Sequence, residues 1–177
     1  MSSKSLTLPL SKAELAQLRA GDVCVLSGPM YTLRDAGHAK LLEELESQGS
    51  LPYGLEGQAI FYAGPTPAAA QRPFGAIGPT TASRMDFAAP RLYRAGIVAT
   101  IGKGKRSKEV AKACIETGSV YFVATGGAAA FLAKCIESSD TLAYHGLGTE
   151  ALRKIEVREF PVFVGIDSLG NDIYSRD

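Results

Sequence analysis

Apolar residues along this chain come in short runs, broken at close intervals by glycine, proline and small polar residues. The spacing predicts alternating strands and helices. Ser11-Lys12-Ala13-Glu14 has the form of a capping box; Leu15 and Leu18 follow at helical spacing until Ala20-Gly21 stops the helix. Residues 23–27 read as a short buried strand closed by Gly28-Pro29. An amphipathic helix is predicted over 33–47, with Leu33, Gly37, Leu41 and Leu45 on one face and Glu43, Glu44 and Glu46 on others. A second strand spans 58–63, before an extended loop that runs from Gly64-Pro65-Thr66-Pro67 to Pro73. A helix opens after Thr80 and closes over 91–94, and a third strand covers 97–101. Gly102-Lys103-Gly104 then leads into a helix over 107–117. A fourth strand occupies 120–124, and Gly126-Gly127 opens a helix over 128–137. Residues 141–144 suit a fifth strand and 161–166 a last one, with Asp167-Ser168-Leu169-Gly170-Asn171 as a turn before 172–174.

The second half alternates strand, glycine loop and helix, which implies a layered α/β fold with some parallel pairing. With 177 residues and no repeat or linker, one domain over 1–177 is expected. The longer, proline-bearing loops of the first half leave a regular doubly wound sheet unassured. Nineteen basic residues against eighteen acidic ones leave +1, so no global field draws nucleic acid or anionic lipid. Positive charge therefore acts locally or not at all. No apolar window approaches the roughly 20 residues that span a bilayer. The N-terminal stretch also lacks the apolar core of a secretory signal, so a cytoplasmic protein without nucleic-acid or membrane partners is expected. Cys24, Cys114 and Cys135 are widely spaced, form no Cys-x-x-Cys pair, and read as buried free thiols rather than metal ligands.

Three runs carry chemistry, and each follows a predicted strand, where α/β folds gather ligands. Arg34-Asp35-Ala36-Gly37-His38 places Arg34 and His38 four apart, on one face at a helix start. Arg34 can grip a carboxylate with two parallel hydrogen bonds and His38 titrates near neutrality; the same residues also suit a solvated helix start. Gly78-Pro79-Thr80-Thr81-Ala82-Ser83-Arg84-Met85-Asp86 puts Thr80 and Thr81 at a helix N-cap, whose free N–H groups favour an anion. Arg84 lies one turn beyond Thr80; an ordinary capped helix with a solvent-facing arginine is the alternative. Gly102-Lys103-Gly104-Lys105-Arg106-Ser107 sets Lys103 between glycines but lacks phosphate-loop spacing, so it reads either as a carboxylate contact or as a solvated basic turn. Gly126-Gly127 is assigned to close packing, and His145 is given no role. Together the runs supply parts for holding a small dicarboxylate and working on the carbon beside its carboxylate.

In this order the runs resemble the β subunit of the iron–sulfur-dependent hydro-lyases, class I fumarase (fumarate hydratase) and L(+)-tartrate dehydratase. The likeness extends from Leu18-Arg19-Ala20-Gly21-Asp22-Val23 through Thr125-Gly126-Gly127-Ala128-Ala129 and Leu147-Gly148-Thr149-Glu150-Ala151-Leu152 to Val157-Arg158-Glu159-Phe160-Pro161 and the 167–172 turn. It implies a swivelling β/β/α domain, a layered mixed sheet with flanking helices. By the same resemblance Arg34, Thr80, Arg84 and Lys103 contact substrate, Thr81 lies beside them, and His38 matches a proposed active-site histidine. Gly37 stands where alanine or cysteine is more usual, and Ser83 where glycine is commoner. In this family a 4Fe–4S cluster is carried by an α portion. The resemblance therefore implies an α-subunit partner, a hetero-oligomer, and no metal ligands on this chain.

The implied reaction is reversible addition of water across a carbon–carbon bond next to carboxylates, with the partner's iron as Lewis acid. Arg34, Arg84 and Lys103 would bind carboxylate, and Thr80 or His38 would take the proton. Fumarate to malate is the preferred substrate pair. L(+)-tartrate, mesaconate and a non-catalytic dicarboxylate-binding module are the alternatives. A nucleotide-binding domain is disfavoured by the missing motif spacing.

Overall fold

The computed structural model describes residues 2–68 and 71–175. Among these the strands are β1 (Lys4–Thr7), β2 (Val23–Thr32), β3 (Ala59–Phe61), β4 (Ala99–Gly102), β5 (Val120–Val123), β6 (Ile136–Ala143) and β7 (Leu152–Ile166). The α-helices are α1 (Lys12–Ala16), α2 (Asp35–Gln48), α3 (Ala89–Ala95), α4 (Lys108–Thr117) and α5 (Ala129–Lys134). A 3₁₀ turn occupies Ala82–Met85, and two short 3₁₀ turns kinked at Gly148 occupy His145–Glu150.

The seven strands form one mixed sheet in the order β1-β2-β3-β4-β5-β7-β6, and β2 also pairs with β7. That extra pairing closes a ring: β2 to β3, β4 and β5 in parallel, then β7 antiparallel to both β5 and β2. Closure leaves only β1 and β6 as edges among the described strands, so the short parallel strands β3, β4 and β5 present none. The fold is thus mixed α/β, with part of its sheet closed into a barrel and helices around it. This agrees with the layered mixed sheet expected from the sequence.

Side-chain alternation along the short strands divides the apolar residues between two clusters. Ala59, Phe61, Ala99, Ile101, Val120 and Phe122 belong to one, with Cys24, Leu26 and Val162 of the long strands. Ile60, Tyr62 and Tyr121 belong to the other, against Leu41 of α2, Leu92 and Tyr93 of α3 and Val110 of α4. The strands are therefore buried on both faces, as parallel strands with crossover helices are.

Several elements differ from the sequence expectation. β2 does not stop at Gly28-Pro29 but bulges there and runs on to Thr32. Gly28 has φ 118°, and a Cβ on it would lie 2.7 Å from the Leu8 carbonyl oxygen, so glycine keeps the strand continuous beside its neighbour. The helix expected over 128–137 ends at Lys134, and Ile136 already lies in β6. β7 begins at Leu152, well before 161; register shifts against β6 interrupt the period on which the eye relies. β1 was missed because its exposed, largely polar residues carry no alternation.

Candidate functional site

β2, β3, β4 and β5 run parallel, so their carboxyl ends meet on one side of the molecule. Arg34 follows β2, Gly64 follows β3, Lys103 follows β4 and Gly126 follows β5. The segment bearing Thr80, Thr81 and Arg84 is drawn to this rim by backbone pairing, with an Ala63–Pro79 bridge on one side and a Thr81–Lys103 bridge on the other.

Arg34 caps α2 with an extended backbone (φ −123°, ψ −167°). Its carbonyl accepts two hydrogen bonds, from the His38 backbone N–H and from the His38 ring Nδ1, each at 2.8 Å. A carbonyl can only accept, so Nδ1 carries the proton and Nε2 is a bare lone pair. Nε2 has no hydrogen-bond partner among the described residues, and the ring is fully buried in a T-shaped contact with Tyr62, centroids 5.2 Å apart. Burial pushes the His38 pKa down to about 4, opposed by the Arg34 carbonyl and reinforced by nearby Arg106. His38 is therefore neutral at working pH and closed to solvent in this chain, with its one side-chain hydrogen bond among the described residues to the backbone of Arg34.

The Arg34 side chain crosses the end of β3. A Cβ on Gly64 would lie 2.8 Å from Arg34 Cδ and 3.0 Å from Nη1, so glycine gives the guanidinium its path. Glu150 Oε1 stands 4.0 Å from Arg34 Nε, too far for a hydrogen bond, which leaves Nε without an acceptor. Gly37 has a related cause: a Cβ there would sit 2.6 Å from the Glu150 carbonyl oxygen and 2.3 Å from Leu33 Cδ1. The smaller residue lets the loop carrying Glu150 rest on α2.

Arg84 reaches the same place from the other side. Its Nε and Nη2 donate to the two oxygens of Asp35 at 3.0 and 2.9 Å. With the arginine side chain half exposed, this fork contributes at most about 1 kcal/mol to stability, so its consequence is orientation. Asp35 follows Arg34 directly in sequence, so this fork ties Arg84 to the start of α2 beside Arg34.

Thr80 and Lys103 are joined through the main chain. Lys103 N–H donates to the Thr80 carbonyl at 3.2 Å, and Ala82 N–H to the Lys103 carbonyl at 2.9 Å. The expected helix after Thr80 is replaced by the short 3₁₀ turn over Ala82–Met85, separate from α3. The expectation of a free helix N-terminus for an anion is therefore corrected: Thr80 N–H goes to the Tyr62 carbonyl (2.6 Å) and Ala82 N–H to Lys103. Thr81 and the Lys103 side chain are exposed, and the Thr80 hydroxyl has no hydrogen-bond partner among the described residues. A Cβ on Gly126 would lie 3.6 Å from Lys103 Cδ, so Gly126 borders that side chain.

The structure thus gathers Arg34, Arg84, Lys103, Thr80 and Thr81 on one rim, with His38 beneath it. It adds Asp35, Gly64, Asp86, Arg106 and Glu150, to which the sequence reading gave no role. Asp35, Asp86 and Arg106 lie inside the motif runs, and that adjacency was the available signal. Gly64 and Glu150 enter only through the fold. A hollow of about 380 Å³, lined by Pro65, Thr66, Phe74, Thr149 and Arg153 among others, includes none of these site residues. The larger hollow of about 520 Å³, around Arg19 and Asp167, includes none of these site residues.

Among the described residues no group of three or more His, Cys, Asp or Glu side chains is placed to hold a metal ion. Cys24, Cys114 and Cys135 are buried free thiols. Burial pushes Cys24 up to about 11 and Cys114 up to about 12, which disfavours the thiolate that cluster ligation requires. These residues do not fit an iron–sulfur cluster.

Residues 2–177 match the family described as Fumarase C-terminus. The chain belongs to this family. As a fumarase C-terminus protein it is 40% identical over 172 residues to fumarate hydratase 2 of Leishmania major, covering 95% of this chain and 30% of that protein. It is 39% identical over 166 residues to the anaerobic class I fumarate hydratase of Escherichia coli K12, covering 93% of this chain and 30% of that enzyme. A Methanocaldococcus jannaschii protein provisionally named L(+)-tartrate dehydratase subunit beta is 37% identical over 173 residues, covering 94% of this chain and 89% of that protein. The chain therefore spans about 30% of the length of the two fumarate hydratases. Among the described residues of this fumarase C-terminus chain, no helix is long and apolar enough to cross a membrane.

Proposed function

We propose that this chain is the β portion of an iron–sulfur hydro-lyase that hydrates fumarate reversibly to malate. In this reading it acts as one cytoplasmic domain beside an α subunit that carries the 4Fe–4S cluster. The observation that carries the reading is the meeting of Arg34, Arg84 and Lys103 at the carboxyl ends of neighbouring parallel strands, tied through Asp35 and the Thr81–Lys103 bridge. Three cations on one rim suit a dianion whose carboxylates need both binding and orientation.

Each residue has a role in this reading. Arg34 offers a side chain held only loosely by Glu150, so its donors are available to a carboxylate. Arg84 is aimed by Asp35, and Lys103 supplies a point charge from a glycine-flanked turn. As the carbon next to a carboxylate loses its proton, negative charge spreads onto that carboxylate, and these cations stabilise it. Thr80 is the proton acceptor: its hydroxyl is unengaged, and adjacent positive charge favours the alkoxide that an isolated threonine does not form at neutral pH. His38 holds the backbone of Arg34 and has no open route to substrate from this chain. Thr81 borders the substrate through its pairing with Lys103.

L(+)-tartrate is the second reading, because the Methanocaldococcus relative that bears that name is covered over 89% of its length. Anaerobic co-purification with an α subunit, followed by ultraviolet assay against malate, L(+)-tartrate and mesaconate, separates these readings. The expected result is oxygen-sensitive turnover of malate and fumarate. A cluster-loaded complex that turns over none of the diacids overturns the proposal.

A further inference from the structure

Arg106 is a buried cation that the scheme above leaves without a task. Its side chain is wholly enclosed, and every edge of the guanidinium is engaged. Nε donates to Asp86 Oδ1 at 2.6 Å, Nη1 to Thr100 Oγ1 at 3.2 Å and Nη2 to the Tyr62 hydroxyl at 3.2 Å. Its Cζ lies over two rings, 5.2 Å from the centroid of Tyr62 and 4.7 Å from that of Tyr121. The hydroxyl bonds around it have a fixed direction. Tyr93 donates to the Val120 carbonyl (3.0 Å), so the 2.6 Å bond between Tyr93 and Thr100 is donated by Thr100, which accepts from Arg106.

The partner carboxylate binds in two places. Asp86 Oδ1 takes the Arg106 guanidinium, and Oδ2 takes the Ser107 backbone N–H at 2.7 Å. Asp86 ends the 3₁₀ turn that carries Arg84, two residues earlier, and Arg106 lies three residues after Lys103. Tyr121 adds a third tie, donating its hydroxyl to the Gly104 carbonyl at 2.9 Å. A buried ion pair is weak grounds for stability, because desolvation offsets most of its attraction. What this pair does that apolar packing could not is fix the spacing between two specific loops.

We propose that Asp86 and Arg106 are positioning residues that set the separation of Arg84 and Lys103, and so the diacid geometry the rim accepts. The proposal rests on the functional reading above, and the experiment keeps the two apart. Wild-type chain is first reconstituted with its cluster-bearing α subunit; absence of any diacid turnover at this stage counts against the functional reading alone. In an active complex, Asp86→Asn, of the same shape without the charge, is expected to raise KM about tenfold while kcat stays within about threefold. Asp86→Glu restores the charge one methylene too far and is expected to leave KM raised. A folded Asp86→Asn complex with wild-type KM and kcat overturns the proposal, as does full rescue by Asp86→Glu. Amide hydrogen exchange on the wild-type chain decides independently of turnover or of how the variants fold. Ser107, Lys103 and Ala82 amides should open together as one unit; Ser107 exchanging more than about 100-fold faster than the other two refutes the staple.

Discussion

Protonating His38 should cost this protein stability in a pH range where nothing else described in its core is poised to titrate. The ring is fully buried and its pKa lies at about 4, against 6.5 for the unperturbed group. Burial is the main cause; Arg106, beyond Tyr62, adds to it, while the Arg34 carbonyl and Asp35 act in the opposite direction. The sign follows from proton counting. Between pH 6.5 and 4 the unfolded chain binds a proton that the folded chain refuses, so stability falls as pH falls through that window and is retained above it. At about 1.4 kcal/mol per pKa unit the full effect is roughly 3 kcal/mol, of which about 2 kcal/mol is already lost at pH 5. The lowered carboxyls of Glu14, Asp22 and Asp167 act the same way only below their ordinary values of 4.5, 3.8 and 3.8. Urea unfolding at pH 7, 6 and 5, followed by circular dichroism, measures the slope. His38→Asn keeps an N–H near the position of Nδ1 but cannot take up a proton, so its stability should be nearly flat over the same range. An equal slope in the variant, or a His38 resonance titrating near 6.5, refutes the reasoning.

Arg34→Ala and Arg84→Ala, each in the reconstituted complex, should lower kcat/KM about 100- to 1,000-fold with cluster content unchanged, as steady-state assays will show. Gly102→Ala places a Cβ 2.9 Å from both Ala82 Cβ and Tyr62 Cδ2, between β4 and the Thr80 segment. Such overpacking should cost about 1–3 kcal/mol in urea unfolding. Cys24 and Cys114 are fully buried with raised thiol pKa values, so a thiol-specific disulfide reagent at neutral pH should label them only after denaturant is added.

The strand–loop–helix rhythm of the second half was legible in the sequence because the periods of buried strands and capped helices are local. Ser107 capping α4 and Gly118 ending it are local events of this kind. Two of the site's cations were legible for a similar reason: Arg34 and Lys103 each sit in a short run just after a strand, and parallel strands send such runs to a common edge. Their approach to one edge was therefore foreseeable once the parallel pairing was assumed, whereas Arg84, more than twenty residues beyond β3, is brought there by the Ala63–Pro79 and Thr81–Lys103 bridges. What tertiary structure alone decided is what those side chains touch. Strand β2 passes through Gly28-Pro29 because β7 pairs along both halves of it, a contact between residues more than a hundred positions apart. Thr81 pairs with Lys103 rather than starting a long helix because the Lys103 main chain donates to the Thr80 carbonyl and accepts from the Ala82 N–H on either side of it. His38 has the composition of an acid–base group and the surroundings of a core residue, and only packing distinguishes the two. Local sequence sets which residues can form an element and where it ends; burial, desolvation and partner charge are sums over the whole fold.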